Sequence, residues 1–317
     1  MKIAFLDRDT FPQEFTTSLP ASLGEYIEYA NTTPEQRVEH LQGVQVAIAN
    51  KVVFDRALLE QLPDLKLIAL TATGYNNVDL EACQALGIHC ANVAGYSTDS
   101  VSDHTMMLIL NLMRNQPAFL ADQYQQGWAG GPFFCRQLAP MTDLRGKTLT
   151  LVGRGDLGQA TAQRASAFGM QVLFAERKNA DEVRPGYTEF WQAVASADVL
   201  SLHCPLTSDN HKMIDAEVFA AMKASAYFIN TARGALVDEQ ALADALSKQS
   251  IAGAGIDVAT QEPMPAEAPL WQHANANNVI ITPHVAWASR EAVTTLWQGI
   301  IDNINAWQNG RTDQFLC

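Results

Sequence analysis

A strand that runs directly into a glycine-rich turn constrains this chain more than any other feature. The apolar segment Thr148–Val152 leads into Gly153-Arg154-Gly155-Asp156-Leu157-Gly158, and a helix-forming segment follows. In such a G-x-G-x-x-G turn, the first glycine permits the tight turn, the second lets the backbone approach a pyrophosphate, and the third allows close helix–strand packing. The helix N-terminus attracts the phosphate charge. We therefore expect this turn, through Gly153, Gly155, Asp156, Leu157 and Gly158, to bind a dinucleotide.

The residues after this turn complete a βαβ unit. An alanine-rich helical segment over 159–168 is followed by the strand 171–175, and Glu176 comes about 20 residues after the last glycine. A carboxylate at this place accepts a hydrogen bond from the adenosine ribose 2′-hydroxyl and repels a 2′-phosphate, so NAD is favoured over NADP. Arg177 and Lys178, which follow directly, instead favour NADP, because they could pair with a 2′-phosphate.

Length, charge and cysteine usage exclude several classes of function. The 317 residues suit two domains with a cleft between them. With 34 acidic and 21 basic residues and a net charge of −13, the chain lacks the basic cluster that nucleic acid requires. No apolar run is long enough for a membrane span, and Met1–Asp7 is typical of a strand rather than a signal peptide, so we expect a cytoplasmic protein without a membrane partner. The five cysteines are scattered without metal-ligand spacing, and we expect no metal.

Two series of strands alternate with helices, which predicts an α/β fold. The first series comprises three short apolar runs, Lys2–Leu6, Val44–Ala49 and Leu65–Thr71. The second comprises six, at 148–152, 171–175, 199–203, 226–230, 252–257 and 279–282. Helices are predicted over 100–113, where the helix is buried, and over 289–309. We expect a Rossmann-type, doubly wound parallel sheet for the dinucleotide over 99–287, and a smaller flavodoxin-like α/β substrate domain formed by 1–98 and 288–317.

Three polar residues follow separate strands of the second series: Arg233, Glu262 and His284. Ligands of open α/β sheets lie beyond the carboxyl ends of the strands, so these residues are the candidates for chemistry. A guanidinium can hold a carboxylate in a bidentate grip, and an imidazole can protonate a developing alkoxide. A carboxylate beside the imidazole orients its ring. The three together suit the reduction of a 2-keto acid by hydride transfer, without a metal.

Several motifs carry a family resemblance over nearly the whole chain. They are Val152–Gly158, His203-Cys204-Pro205-Leu206-Thr207, Asn230-Thr231-Ala232-Arg233-Gly234, Gly255-Ile256-Asp257-Val258, Glu262-Pro263 and Pro283-His284. In these motifs the chain resembles the D-isomer-specific, NAD-dependent 2-hydroxyacid dehydrogenases. The resemblance implies that Arg233 binds the substrate carboxylate, that Glu262 is the partner of the histidine, and that His284 is the acid/base. One departure is Thr150, where the family more often has glycine.

The resemblance also implies further cofactor contacts. Asp257 and the Ala232 backbone are expected to hold the nicotinamide carboxamide, and the expected cofactor-lining residues beside them are Thr231, His203, Cys204, Pro205 and His284. We interpret Cys204 as a packing residue rather than a nucleophile, because no activating environment is visible in the sequence.

Within the family, the chain is most similar to glycerate dehydrogenases, which reduce hydroxypyruvate to D-glycerate. The segments that carry this likeness are Thr71–Asp79, Asn92–Thr98 and Pro283–Ser289. Their glycine-containing loops could present backbone N–H groups to a substrate carboxylate, which makes Thr73, Gly74, Ala94 and Gly95 candidate substrate-binding residues. Hydroxypyruvate and glyoxylate are the expected substrates, with NADH as the hydride donor.

Two alternatives stay open. The chain could act on another D-2-hydroxyacid, or it could be an NAD(H)-sensing binding protein similar to the co-repressors that resemble this family. Formate dehydrogenases of similar fold are disfavoured, because they carry glutamine where Glu262 stands. The resemblance further implies a homodimer, whose two-fold interface is built by the region of the buried helix after Ser100, although a core helix would explain the apolar character of that helix equally well.

Overall fold

The computed structural model describes residues 1–317, which form two compact units. The terminal unit comprises Met1–Ser97 and Ala288–Cys317, and the central unit comprises Thr98–Trp287. Among the helices of both units, none combines the length and the apolar character that a membrane crossing requires.

Five parallel strands form the sheet of the terminal unit, in the order β2-β1-β3-β4-β5. This is the flavodoxin-like order, so the fold predicted for this part of the chain is confirmed. The C-terminal helix α10 (Arg290–Gln308) packs against β4. The strands are β1 (Lys2–Phe5), β2 (Glu25–Glu28), β3 (Val46–Ala49), β4 (Leu67–Leu70) and β5 (His89–Ala91), and the shorter helices are α1 (Arg37–Leu41), α2 (Arg56–Leu59) and α3 (Leu80–Leu86).

The sequence predicted three of these five strands, and the two that it missed have weak apolar signals. Every residue of β3 and β4 is buried, which gives the continuous apolar runs typical of parallel strands covered on both faces. In contrast, β2 consists of Glu-Tyr-Ile-Glu at the edge of the sheet and is partly exposed along its length. Strand β5 has only three residues, of which the first is a histidine.

Six parallel strands form the sheet of the central unit, in the order β11-β10-β9-β8-β6-β7. All six were predicted from the sequence, with bounds within one residue. The strands are β6 (Thr148–Val152), β7 (Gln171–Ala175), β8 (Val199–Leu202), β9 (Tyr227–Asn230), β10 (Gly253–Ile256) and β11 (Val279–Ile281). The helices are α4 (Thr98–Met113), α5 (Gln116–Tyr124), α6 (Asp156–Ala167), α7 (Phe190–Ser196), α8 (Ala216–Ala221) and α9 (Glu239–Ser247).

The central sheet is of the Rossmann type, as expected, but its third strand is reduced to a single bridge. A complete Rossmann sheet places a third strand outside the second. Here Thr188 alone occupies that place: its N–H donates to Phe174 O, and its carbonyl accepts from Glu176 N, both at 2.8 Å. The chain between β7 and this bridge is a loop, which we call the 177–187 loop.

Helix α6 begins differently from the other helices that start near strand ends. Side chains cap α3, α9 and α10, where Asp79, Asp238 and Ser289 accept hydrogen bonds from first-turn N–H groups. The N-cap of α6 is Gly155, which has no side chain to do so. The first N–H groups of α6 are therefore left for another acceptor.

Thr150, the departure from the family pattern, is fully buried in β6. Its hydroxyl donates to the carbonyl of Ala193 in α7 at 2.9 Å. This carbonyl belongs to the last turn of α7. The carbonyls of a helix's last turn have no N–H partner within the helix and need a donor from outside it. The threonine thus ties α7 to the strand that precedes the glycine-rich turn.

We expect Thr150→Val to destabilise the protein by about 1–2 kcal/mol, because the buried Ala193 carbonyl loses its donor while the side-chain volume is kept. Thr295→Val is the matched control: the Thr295 hydroxyl makes the same kind of bond, to Glu291 O, but on the exposed face of α10. This control should change stability by less than about 0.5 kcal/mol. Urea denaturation of both variants measures the difference, and equal effects would contradict the assignment.

Candidate active site

The three glycines of the turn after β6 have different surroundings. At Gly153, where φ is +112°, a Cβ would lie 2.5 Å from the carbonyl oxygen of His203. At Gly158 it would lie 2.2 Å from the carbonyl oxygen of Gly153. Nothing lies within 4 Å of the corresponding position at Gly155. Two glycines therefore let backbones pack together, and the third leaves open space at the start of α6, beside Asp156 and Leu157.

The loop after β8 packs against this turn. His203 is buried, its Nε2 lies 2.9 Å from the Ser201 hydroxyl, and its Nδ1 is buried without a hydrogen-bond partner. Burial lowers the pKa of His203 to about 4, so the ring is neutral at neutral pH. Burial raises the pKa of Cys204 to about 11, which argues against a nucleophilic thiolate. Pro205 follows, and its carbonyl accepts from the Asn210 side chain at 2.8 Å.

Glu176, at the end of β7, is held by an arginine that the sequence does not single out. Nε and Nη2 of Arg184 donate to the two carboxylate oxygens of Glu176 at 2.7 and 2.6 Å. The backbone N–H groups of Arg177 and Arg184 donate to the same oxygens at 2.8 and 3.1 Å. The Arg184 side chain, together with these backbone bonds, lowers the pKa of Glu176 to about 2. The carboxylate is ionised and only 2% exposed.

Lys178 does not join this pair. Its Nζ donates to Asp215 Oδ2 at 2.6 Å and to the Met213 carbonyl at 3.0 Å, and it lies 5.2 Å from the centre of the Trp191 ring. The charge of Lys178 is thus paired with that of Asp215.

The turn after β9 carries Arg233 and is braced by a strand residue. The Asn230 side chain accepts from Ala232 N at 3.0 Å and donates to Arg233 O at 2.9 Å. Thr231 is buried, with its hydroxyl 3.1 Å from that of Thr105 in α4. Arg233 Nη1 donates to the carbonyl of Ala232 at 2.7 Å, and no carboxylate lies within ion-pair distance of the half-buried guanidinium. Arg233 therefore offers an uncompensated positive charge at the end of β9.

Asp257 follows β10 and organises the turn after β11. Its buried Oδ1 accepts from the Thr282 hydroxyl at 2.6 Å and from Val285 N at 3.0 Å, and its Oδ2 accepts from Ala286 N at 3.0 Å. His104 of α4 adds a contact, with its Nε2 3.0 Å from the Thr282 hydroxyl. One carboxylate thereby fixes the backbone on either side of His284.

His284 and Glu262 form a pair. His284 Nδ1 lies 2.7 Å from Glu262 Oε2, and both side chains are about one-third exposed. The other carboxylate oxygen, Oε1, accepts from Ala259 N at 3.0 Å. His284 has φ of +53°, a left-handed conformation that is uncommon for a non-glycine residue. Its N–H donates to Asp257 O at 2.8 Å, and its carbonyl accepts from the Trp287 indole at 2.9 Å.

Backbone contacts link Arg233 to this pair. A Cβ at Gly234, the residue after Arg233, would lie 1.9 Å from the carbonyl carbon of Ala259. Ala259 in turn donates to Glu262, which holds His284. The three predicted catalytic residues thus sit on loops that pack against one another, after the adjacent strands β9, β10 and β11.

The predicted substrate-binding loops lie in the terminal unit, after β4 and β5. The Thr73 hydroxyl donates to Val93 O at 3.1 Å, and the Asn92 amide donates to Thr73 O at 2.6 Å. Gly95 has φ of +74°, which suits glycine, and Ala94 and Gly95 are exposed. Gly74 is partly exposed. The structure thus brings the Thr73–Gly74 and Ala94–Gly95 loops together within this unit.

Sequence reasoning missed the residues that act through other residues. Arg184 lies in a loop whose sequence shows no hydrophobic periodicity. His104 lies in an apolar helix, and Thr282 follows the end of a strand. Asn230 belongs to one of the sequence motifs, but the sequence alone assigns it no role. Only the last carried a usable signal, since an asparagine that ends a strand often bonds the following turn.

Comparisons with known proteins show which proteins this chain is similar to. The family model for the NAD-binding domain of D-isomer specific 2-hydroxyacid dehydrogenases matches residues 106–286. The glycerate dehydrogenase of Methylorubrum extorquens is 42% identical over 316 residues, which cover 98% of this chain and 97% of that protein. The hydroxypyruvate reductase of Blautia hydrogenotrophica is 32% identical over 317 residues, 98% of each chain. The structure of D-lactate dehydrogenase from Aquifex aeolicus, complexed with NAD and lactic acid, is 26% identical and superimposes with a TM-score of 0.84 over 99% of this chain and 98% of that one.

Buried His203 predicts a pH dependence of stability. The pKa of His203 is about 4 in the folded protein, against 6.5 for an ordinary histidine. Between these two pH values the histidine is protonated in the unfolded chain and neutral in the folded protein. The free energy of unfolding should therefore fall as the pH drops from about 6.5 to 4, by up to about 3 kcal/mol from this group. His203→Gln should flatten the profile in this window, and His211→Gln, at an exposed position, should not. Urea denaturation from pH 7 to 4 tests this; parallel profiles for His203→Gln and the unaltered protein would refute it.

Proposed function

The chain belongs to the D-isomer specific 2-hydroxyacid dehydrogenase family, and on this premise we propose that it reduces a small 2-keto acid with NADH. The proposed substrates are hydroxypyruvate and glyoxylate, and the product from hydroxypyruvate is D-glycerate. The observation that carries the proposal is the His284–Glu262 pair at 2.7 Å, on loops packed against the one that bears Arg233.

Arg233 is proposed to bind the substrate carboxylate. Its guanidinium has no acidic partner, and a planar guanidinium can donate two parallel hydrogen bonds to a carboxylate. The remaining positive charge polarises the adjacent keto group. In a chain with a net charge of −13, such a local cation is needed to capture an anionic substrate.

His284 is proposed to move the proton. Glu262 accepts a hydrogen bond from His284 Nδ1–H, so Nε2 is the ring nitrogen left to exchange a proton with the substrate. In the reduction, reduced nicotinamide when bound supplies the hydride to the keto carbon. His284 Nε2–H gives its proton to the carbonyl oxygen, which becomes the hydroxyl, and the neutral imidazole then recovers a proton from solvent. Glu262 stabilises the charged imidazolium before transfer.

The central unit supplies a set of residues that fit a dinucleotide. The pyrophosphate would lie over Gly155 and the N–H groups of Asp156 and Leu157, where the structure leaves open space. His203, Cys204 and Pro205 would line the same side. At the nicotinamide end, Thr231 and the Ala232 backbone would contact the ring. Asp257 Oδ2, which accepts a single hydrogen bond, keeps a lone pair for a carboxamide. Glu176 is proposed as the residue that meets the adenosine ribose.

Two observations bear on the substrate. The curated relatives of this chain include a glycerate dehydrogenase and a hydroxypyruvate reductase, which cover nearly its whole length. Backbone N–H groups around Thr73, Gly74, Ala94 and Gly95 could accommodate a small carboxylate. Another D-2-hydroxyacid is the second candidate, since the same catalytic residues would serve it.

We further propose a homodimer. The segment 124–141 carries large apolar side chains that are well exposed: Phe134 at 92%, Tyr124 at 82%, Phe133 at 74% and Trp128 at 60%. Monomeric proteins rarely expose so many aromatic residues in one segment, and a second copy of the chain would cover them. This segment begins at the end of α5 and follows α4, the helix after Ser100 for which the family resemblance predicts the two-fold interface.

The proposed reaction predicts separate effects for two substitutions. Arg233→Ala should raise the KM for hydroxypyruvate about 100-fold and leave the Kd of NADH within about twofold, because a charge-assisted pair with the substrate alone is lost. His284→Ala should lower kcat by about 10²–10⁴-fold through loss of the proton donor. NADH oxidation with hydroxypyruvate, glyoxylate, pyruvate and phenylpyruvate, and NADH titration, measure both.

His211→Ala, at an exposed position, is the control and should retain full activity. NADH binding without turnover of any 2-keto acid would replace the proposal by the NAD(H)-sensing alternative. Turnover of only the bulkier keto acids would keep the catalytic residues and change the substrate.

The dimer proposal predicts that the double variant Phe133→Ser/Phe134→Ser sediments as a monomer of about half the mass of the unaltered protein at equal concentration. Both side chains are exposed in the single chain, so their loss should leave its fold intact. Val53→Asp, an exposed apolar position of the terminal unit, is the control and should stay dimeric. An unaltered protein that is monomeric at micromolar concentration would remove the proposal.

A further inference from the structure

The Thr282 hydroxyl lies between two groups that could each accept its single proton. Its Oγ1 is 2.6 Å from Asp257 Oδ1 and 3.0 Å from His104 Nε2. Hydrogen bonds to a carboxylate are short and strong, and the shorter of the two contacts is the one to Asp257. The hydroxyl proton therefore lies on the Asp257 side, and the lone pairs of the Thr282 oxygen face His104.

This direction of the Thr282 hydrogen bond determines which nitrogen of His104 carries a proton. A bare Nε2 would place its lone pair against those of the Thr282 oxygen, so the proton lies on Nε2 and is donated to Thr282. The His104 side chain is 15% exposed, and burial lowers the pKa of the ring, although the Asp257 carboxylate, 3.6 Å away, opposes this effect. The ring is therefore neutral at neutral pH, with Nε2–H as its donor.

The three side chains form a chain of hydrogen bonds that ends on the turn after β11. His104 donates to Thr282, and Thr282 donates to Asp257. The two oxygens of Asp257 accept from the backbone N–H groups of Val285 and Ala286. Linked hydrogen bonds polarise one another, so a donor on the Thr282 oxygen strengthens the bond from Thr282 to the carboxylate.

Helix α4 supplies a fixed frame for the His104 ring. The helix packs against β9, β10 and β11, the strands that precede the candidate catalytic turns. Its Ser100 donates to the Ala286 carbonyl at 2.6 Å, and its Thr105 contacts Thr231 in the turn after β9. Residues of one helix therefore hold the turns after β9 and β11, so a donor on α4 has a defined position relative to both.

We propose that His104 is a positioning residue, whose Nε2–H, through Thr282, holds the orientation of the Asp257 carboxylate. This role rests on the proposed function, in which Asp257 contacts the nicotinamide carboxamide. Oδ1 of Asp257 is held by two donors, so the free lone pair of Oδ2, which would accept from that amide, has a set direction. Rotation of the carboxylate would misalign this acceptor and loosen the N–H groups that fix the turn bearing His284.

The first test observes the ring in the protein without ligands. Nitrogen-15 NMR of the histidine side chains, with the His104 signals identified by their loss in His104→Gln, should show a neutral ring protonated on Nε2 at pH 7. The Nε2 proton should exchange with water at least about tenfold faster in Thr282→Val, which keeps the side-chain shape but removes the acceptor. A ring protonated on Nδ1 alone, or unchanged exchange in Thr282→Val, would overturn the proposal.

The second test distinguishes the hydrogen-bond donor of His104 from the bulk of its ring. Reduced 3-acetylpyridine adenine dinucleotide carries a methyl group where NADH has the amide nitrogen, so it should bind about tenfold less tightly than NADH. His104→Phe, which keeps a ring without a donor, should reduce this ratio at least about threefold. His104→Gln, whose amide nitrogen can take the place of Nε2, should restore most of it. His211→Phe, at an exposed position, is the control and should leave the ratio unchanged.

Turnover gives a separate measurement of the same role. With hydroxypyruvate, His104→Phe should lower kcat about tenfold and change KM by less than about twofold, because the Arg233 turn keeps its contacts. Equal losses in folded His104→Phe and His104→Gln would make His104 a packing residue and overturn the proposal, as would an unchanged binding ratio in His104→Phe. Absence of keto-acid turnover by the unaltered protein would overturn the proposed function alone, because the NMR and binding measurements need no substrate.

Discussion

The Asp257 carboxylate is the interaction on which the arrangement of the central unit depends. It is 2% exposed and accepts from the Thr282 hydroxyl and from the N–H groups of Val285 and Ala286. A buried carboxylate is costly unless its oxygens are bonded, so the turn around His284 cannot relax without leaving a charge unsatisfied. This explains how His284 persists at φ +53°, a conformation that costs about 1 kcal/mol or more and survives only where the surroundings determine it. The resemblance assigned Asp257 to the cofactor, and the structure adds that it builds the turn that presents His284.

The second constraint on the site is close backbone packing that only glycine permits. Gly153, Gly158 and Gly234 each stand where a Cβ would come within 2.5 Å of a neighbouring backbone atom. Gly153 brings the glycine-rich turn onto the loop after β8, Gly158 brings the start of α6 onto Gly153, and Gly234 brings the Arg233 turn onto the loop that leads to Glu262. The end of β6 is thus joined to the end of β8, and the end of β9 to the end of β10, by close backbone contacts. An alanine at any of the three would have to move one loop away from another, which would separate residues that the proposed chemistry needs together.

The sequence predicted most of the fold because its signals are local. Buried parallel strands give uninterrupted apolar runs, and all six strands of the central sheet were found in this way, as were β1, β3 and β4. The exposed edge strand β2 and the three-residue β5 lack that signal. The candidate residues Arg233, Glu262 and His284 could be proposed because strand ends of a parallel sheet meet at one edge. The partners Thr282 and His104 could not be proposed, because they act through contacts between segments far apart in sequence, whereas Asn230 bonds the turn that directly follows it.

Glu176 illustrates how a tertiary contact adds to what the sequence predicts for a residue at a strand end. Its place at the end of β7 follows from the βαβ pattern, and the sequence argument for NAD assumes a carboxylate free to accept from a ribose. A buried carboxylate at that strand end needs donors in any case, since two backbone N–H groups alone leave half of its acceptor positions unfilled. Arg184 provides the missing donors, and the reduction of the third strand to Thr188 leaves the long loop from which Arg184 can reach it. The loss of one strand and the arginine on the carboxylate are therefore connected, because the long loop that stands in place of the strand is the segment that carries Arg184.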